Sequence, residues 1–380
     1  MIRKKLLFLT GTRADFGKLK PLIEKCHKSE LFETTTFVTG MHMLRKYGST
    51  WEEIKKSGLG NMFTFVNQNE LDSIDSILTK TITGISDYIK EETPDLLIVH
   101  GDRIEALAGA IAGTLNNIRV AHIEGGEVSG TLDEIIRHSI SKMSHFHFVS
   151  NDTSKNRLLQ MGEMNSRIFV IGSPEVDVMN SENLPELEAV KKRYGISFNE
   201  YHIVIFHPVV FELKFLSEQI SEIVDLISKS KDNFVIIYPN NDSGSDLILN
   251  EYSRLKDRTN IRLIPSMRFE YFLTLLKNAE TIIGNSSSGV REAPVFGVPT
   301  INIGTRQFNR NETASIFNCQ PKFEAISNAI ESAAKKKFEK SYSFGNGNTA
   351  NSFYKVLVNP ILWQIAAHKQ FIDIDLSRRE

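Results

Sequence analysis

Chemistry-bearing side chains are densest in His122-Ile-Glu-Gly-Gly-Glu127 and in Thr131-Leu-Asp-Glu-Ile-Ile-Arg-His138, between a short apolar run and an amphipathic segment. A third group, Val99-His-Gly-Asp-Arg103, closes the preceding apolar run. If both runs are adjacent parallel strands, Asp102 and Glu124 arrive at one rim, and Asp133 joins them one turn into the next helix. Converging carboxylates raise one another's pKa and can serve in turn as acid and base. Capping is the competing account of Asp133, since an acid at a helix start is favourable without catalysis. Arg137, four residues on, shares a helix face with Asp133 and is placed to orient it. His100 and His122 alternate with the acids along their strands. They therefore read as buried strand histidines, and a metal site is the weaker alternative.

The second half of the chain holds a different set. Phe206-His-Pro-Val209 puts His207 at a strand end, as an acid/base, a phosphate donor or a structural histidine. Gly284-Asn-Ser-Ser-Ser-Gly-Val-Arg-Glu292 reads as a strand, a hydroxyl-rich turn and a helix start. Backbone N–H groups and the hydroxyls of Ser286, Ser287 and Ser288 suit a diphosphate, and Glu292 suits the vicinal hydroxyls of a ribose. Simple capping would need only one of the serines. Pro239-Asn-Asn-Asp242 and Arg306 end two further strands of this half. At the start of the chain, Gly11-Thr-Arg-Ala-Asp-Phe-Gly-Lys18 resembles a phosphate loop. Its glycine spacing is one residue too long for a Walker A loop, and Leu19 stands where Ser or Thr would hold magnesium. Arg13 and Lys18 near a helix start suit an oxyanion, or are two solvated cations.

Positioning such groups requires strand ends, and the chain supplies them. Strand-sized apolar runs such as Leu6–Thr10, Leu96–His100, Ile203–His207 and Thr281–Gly284 alternate with helical patterns throughout. Such βαβ repetition predicts α/β architecture with parallel sheets covered on both faces. At 380 residues two domains are expected. Gly172-Ser-Pro-Glu175 and the polar tract after it interrupt the pattern, so the boundaries are set at 1–175 and 176–350. A helix over Ser352–Lys369, within a terminal segment 351–380, is expected to cross back to the first domain.

A net charge of −1, from 45 basic and 46 acidic residues, argues against nucleic-acid or anionic-membrane partners. Two cysteines, Cys26 in a predicted helix and Cys319 in a predicted loop, exclude a disulfide framework or Cys-rich zinc site. No apolar run approaches a membrane span and the first is too short for a secretion signal, so a soluble, cytoplasmic protein is expected.

Taken together, Gly11–Lys18, His100-Gly-Asp-Arg103, His122–Glu127, Asp133-x-x-x-Arg137, Phe206-His-Pro208, Tyr238-Pro-Asn-Asn-Asp242 and Gly284–Gly289 resemble the hydrolysing UDP-N-acetylglucosamine 2-epimerases of bacterial sialic-acid synthesis. The resemblance spans nearly the whole chain. It implies two Rossmann-like doubly wound domains in a glycosyltransferase-B-like fold, an active site in the interdomain cleft, and a homodimer. It further implies conversion of UDP-GlcNAc and water to ManNAc and UDP, without metal or nicotinamide. Carried over, Lys18, Asp102, Glu124, Asp133, Arg137 and His207 surround the sugar, and Arg13, Arg103, Ser286, Ser287, Glu292 and Arg306 hold UDP. Enzymes acting on a UDP-2,4-diacetamido-trideoxyhexose share these motifs. A retaining glycosyltransferase and a non-catalytic nucleotide-sugar binder are alternatives of other classes.

Overall fold

The computed structural model describes residues 3–69, 71–240, 242–334, 336 and 338–373. Asn241 of the Tyr238–Asp242 motif and residues 374–380 of the expected terminal segment lie outside the described residues. The chain divides into two units: Met1–Glu127, Asp133–Asn180 and Phe344–Glu380 in the first, Val128–Leu132 and Ser181–Ser343 in the second.

The first unit is built on β1 (Lys4–Thr10), β2 (Phe32–Val38), β3 (Asn61–Thr64), β4 (Leu96–His100), β5 (Arg119–Ile123), β6 (Phe146–Val149) and β7 (Ile168–Val170). They lie in the order β3-β2-β1-β4-β5-β6-β7, with every pairing parallel. The second carries β8 (His202–Ile205), β9 (Phe234–Ile237), β10 (Ile261–Ile264), β11 (Thr281–Gly284), β12 (Thr300–Ile303) and β13 (Ile316–Cys319) in the order β10-β9-β8-β11-β12-β13. Both units are thus parallel α/β, as the alternating pattern predicts, and Rossmann-like, as the family resemblance implies. Central strands are buried on both faces, and Leu6, Leu7, Phe8 and Leu9 of β1 are each almost wholly enclosed. Continuous apolar runs rather than alternation follow from that burial. In each sheet the order reverses at one place, between β1 and β4 and between β8 and β11, which is where open α/β sheets present ligand sites.

Several elements differ from the sequence reading. Edge strands β3 and β13 lack an apolar run, and β13 takes up Cys319, which had been expected in a loop. The first helix begins at Arg13 rather than near Lys18. Thr12 is its N-cap, accepting the Asp15 N–H at 3.2 Å, and the Asp15 carboxylate accepts the Gly11 N–H at 3.1 Å. This reciprocal capping turns most of the presumed loop into the first turn and a half of a helix.

The expected helix over Ser352–Lys369 is two helices, Thr349–Leu357 and Pro360–Gln364. Pro360 has no N–H and its ring blocks continuation, whereas at the first position of a new helix it is favourable. Phe353, Leu357 and Leu362 enter the core of the first unit, and Phe353 meets Phe148 edge-on with ring centroids 4.7 Å apart. Beyond them, Arg119 donates to the carbonyls of Trp363 and Ile365. Lys369 Nζ donates to the carbonyls of Ser141, Lys142 and Ser144 at 3.1, 2.9 and 2.8 Å, where the Leu132–Met143 helix ends. Cations suit helix C-termini, so the chain end anchors the helix that carries Asp133 and Arg137. Among the described residues no helix is long and apolar enough to cross a membrane.

Candidate active site

In the first unit the carboxyl ends of β1, β4 and β5 bring together acids from distant parts of the chain. His100, the last residue of β4, donates from Nδ1 to Asp15 Oδ1 at 2.8 Å, and its Nε2 stands 3.4 Å from Glu124 Oε1. Glu124 follows β5 with φ +68°, a left-handed backbone that is strained for a glutamate. The Ser173 hydroxyl reaches Glu124 Oε1 at 2.5 Å and also Glu175 Oε2, and Lys18 Nζ lies 3.6 Å from Glu175 Oε1. Glu124 is 4 % exposed, Glu175 1 % and Ser173 not at all, so these groups interact with little screening by water.

Asp102 stands two residues beyond β4, after Gly101 with φ +70°. Its carboxylate accepts from Arg137, which is 1 % exposed and also donates to the Glu127 carbonyl at 3.2 Å. Arg137 thus clasps Asp102, a partner that its spacing from Asp133 does not reveal. Asp133 occupies the first turn of the same helix, one turn before Arg137. His122 Nε2 donates to the Gly101 carbonyl at 2.7 Å and its Nδ1 meets the Ser141 hydroxyl at 3.0 Å. Burial pushes its pKa down to about 3, so it is a neutral ring holding the turn before Asp102.

His100 behaves oppositely. Burial disfavours its imidazolium, but the charge of Glu124 and the hydrogen bond to Asp15 outweigh that and raise its pKa to about 9. A histidine with a raised folded pKa stabilises the fold fully below its ordinary value of 6.5 and loses that contribution as pH rises through about 9. The stability difference between wild type and His100→Gln is therefore expected to shrink from pH 6 towards pH 9.5, measured by urea unfolding. A difference independent of pH over that window would contradict a charged His100.

Two of the proposed UDP ligands sit nearby in the same unit. Arg13 pairs with Glu53 at 2.9 Å, and Arg103 Nε lies 3.4 Å from the buried Glu105.

The second unit builds its own set at the ends of β8 and β11. Gly284 has φ +134°, and a Cβ there would lie 2.0 Å from the Ile205 carbonyl oxygen, so only glycine lets the strands approach. Asn285 then stitches them together: its Oδ1 accepts the His207 N–H at 2.7 Å and its Nδ2 donates to the His207 carbonyl at 2.8 Å. His207 Nδ1 accepts the Asn240 N–H at 3.2 Å, which places the proton of the neutral ring on Nε2. Ser286 is the N-cap of the short Ser287–Val290 helix, accepting the Ser288 N–H at 3.3 Å, and buried Glu292 opens the next helix. Arg306 and Gln307 donate to the Asn285 carbonyl at 3.2 and 3.0 Å. His207 and Arg306 are thereby tied to one residue, Asn285, the chain neighbour of Ser286.

The family profile described as UDP-N-acetylglucosamine 2-epimerase matches residues 24–358. The chain belongs to the UDP-N-acetylglucosamine 2-epimerase family. It is 45 % identical to a UDP-N-acetylglucosamine 2-epimerase of Neisseria meningitidis serogroup B over 98 % of this chain and all of that protein. A hydrolysing UDP-N,N'-diacetylbacillosamine 2-epimerase of Legionella pneumophila is 34 % identical over 94 % of this chain and 96 % of its own length. Among solved structures, the UDP-GlcNAc 2-epimerase of Methanocaldococcus jannaschii, crystallised with UDP-GlcNAc and UDP, aligns with TM-score 0.81 at 24 % identity over 93 % of this chain and 99 % of that one. That likeness covers the epimerase fold of both Rossmann-like units.

Sequence reasoning missed Asp15, His100, Ser173 and Glu175 as members of the acidic group, and Asn285 as the tie in the second unit. Asp15 and Asn285 lie inside motifs that were singled out. In the sequence His100 reads as scaffold, and Ser173 and Glu175 read as an interruption between domains.

Proposed function

We propose that this epimerase converts UDP-GlcNAc and water to ManNAc and UDP, in the cytoplasm and as a homodimer, for sialic-acid synthesis. The observation that carries the reading is the grouping in the first unit of part-exposed Asp102 with buried Glu124 and Glu175, each beside a cation or a hydroxyl. In this reading Asp102 takes the C2 proton as UDP leaves by anti elimination, giving an enzyme-bound 2-acetamidoglucal. Glu124 and Asp133, one as base and one as acid, then add water at C1 and a proton at C2 from the opposite face. Lys18, Arg137 and His207 attend the sugar. Arg13, Arg103, Ser286, Ser287, Glu292 and Arg306 hold UDP and stabilise the charge that develops on the departing diphosphate.

The test is turnover of UDP-GlcNAc in heavy water, without acceptor or added metal. Free UDP and ManNAc carrying deuterium at C2 are expected. Retention of the original C2 proton overturns the elimination, and faster release of UDP from a UDP-2,4-diacetamido-trideoxyhexose reassigns the substrate.

A further inference from the structure

The contacts of Ser173 require more protons than its hydroxyl can supply. Its oxygen is within hydrogen-bond reach of Glu124 Oε1 and Glu175 Oε2, yet a hydroxyl has one proton and an ionised carboxylate has none. Ser173 is also the N-cap of the Pro174–Met179 helix, where a serine hydroxyl ordinarily accepts a backbone N–H, and here it makes no such cap. Its backbone is fixed by other means: its N–H donates to the Phe344 carbonyl at 2.7 Å, and its carbonyl accepts from the Thr349 hydroxyl at 3.1 Å. Close approach of Gly172 and Gly345 locks this turn, since a Cβ on Gly345 would lie 2.8 Å from the Gly172 Cα.

Among the groups facing the triplet are Lys18 and Asp15 from the Arg13–His27 helix and His100 from β4. With all ionised, carboxylates on Asp15, Glu124 and Glu175 face cations on Lys18 and His100. A proton held on one of the two buried glutamates avoids setting two negative charges against a single hydroxyl, as burial favours.

We infer that Glu175 and Ser173 form a proton relay to Glu124, with Glu175 holding in the resting enzyme the proton that Glu124 later delivers. In the transfer the Glu175 O–H bond breaks as a new O–H bond forms on Ser173 Oγ. The original Ser173 O–H bond breaks as one forms on Glu124 Oε1, so two protons each hop once, the net change is one proton passed from Glu175 to Glu124, and no atom or electron is gained or lost. The relay rests on the acid/base role given to Glu124 in the proposed function. Ser173 and Glu175 act through Glu124 and are positioning residues for its proton.

Two measurements test it. Infrared difference spectra of the resting enzyme are expected to show a protonated-carboxyl stretch that Glu175→Gln removes, an outcome independent of any substrate. In kinetics, Glu175→Gln and Ser173→Ala are expected to lower kcat about a hundredfold with KM within threefold, and to turn a curved proton inventory into a linear one. Glu175→Asp, which keeps a titratable proton, is expected to exceed Glu175→Gln about tenfold. Glu175→Gln is isosteric and keeps a hydrogen bond to Ser173, so it carries the test if Ser173→Ala does not fold. An unchanged inventory, a kcat within threefold of wild type, or the absence of the infrared band overturns the relay. Wild-type enzyme that releases UDP from neither nucleotide sugar overturns the functional reading instead and leaves the infrared test standing.

Discussion

Replacing Asp102 with asparagine is expected to reduce kcat for UDP release at least a hundredfold while leaving KM within a few-fold. The amide matches the carboxylate in size and can still accept from Arg137, so position and packing are kept. What it cannot do is take a proton. A positioned general base contributes roughly 10²–10⁴ in rate, about 2.7–5.4 kcal/mol of barrier. Steady-state UDP release gives the loss, and exchange of solvent deuterium into C2 shows whether proton abstraction is the step affected. A rate within tenfold of wild type assigns the base to another residue.

The second large effect is expected from Arg137→Met, and it falls on stability as well as rate. The guanidinium is 1 % exposed and holds Asp102 and the Glu127 carbonyl at once, so it links the turn after β4 to the segment after β5. Removing it leaves Asp102 without its cation and a carbonyl without its donor. Breaking a buried pair costs about 3–5 kcal/mol, and the partial exposure of Asp102 reduces this to about 2–4 kcal/mol. An unfolding free energy from urea titration lower by that amount, with kcat down at least a hundredfold, is the expected result. Arg137→Lys is expected to restore little, because an ammonium lacks the fork that reaches both acceptors. Asp102→Asn combined with Arg137→Met is expected to lose less than the sum of the single losses, because both act through one contact. Full additivity in rate and stability would show that the pair is not a unit.

The central strands and the acids at their ends were legible because buried parallel strands write themselves as apolar runs, and their last residues share a rim. Asp102, Glu124, His207 and Ser286 stand where that reasoning expects them, just beyond the ends of β4, β5, β8 and β11. His100 was not legible, because strict alternation assumes that a strand stays regular to its last residue. Gly101 turns left-handed immediately afterwards, and the His100 ring is drawn between Asp15 and Glu124. Ser173 and Glu175 were lost for a different reason. Glycine followed by proline signals a break in secondary structure, which is correct locally, but nothing local shows that the break is folded inward against Glu124. Arg137 shows the same limit: spacing along a helix gives its neighbours on that helix, whereas its carboxylate partner comes from another strand.

The terminal helices have a consequence for synthesis on the ribosome. The core of the first unit includes Phe353, Leu357 and Leu362, so it cannot close until the segment 353–362 has been made, well after Ser181–Ser343. Ser181–Ser343, by contrast, is translated without interruption and can fold while the earlier unit still lacks part of its apolar filling. The unit begun first is therefore finished last. A stalled or prematurely ended message would release a chain in which the acids are present but the turn bearing Ser173 has no Phe344 carbonyl or Thr349 hydroxyl to hold it.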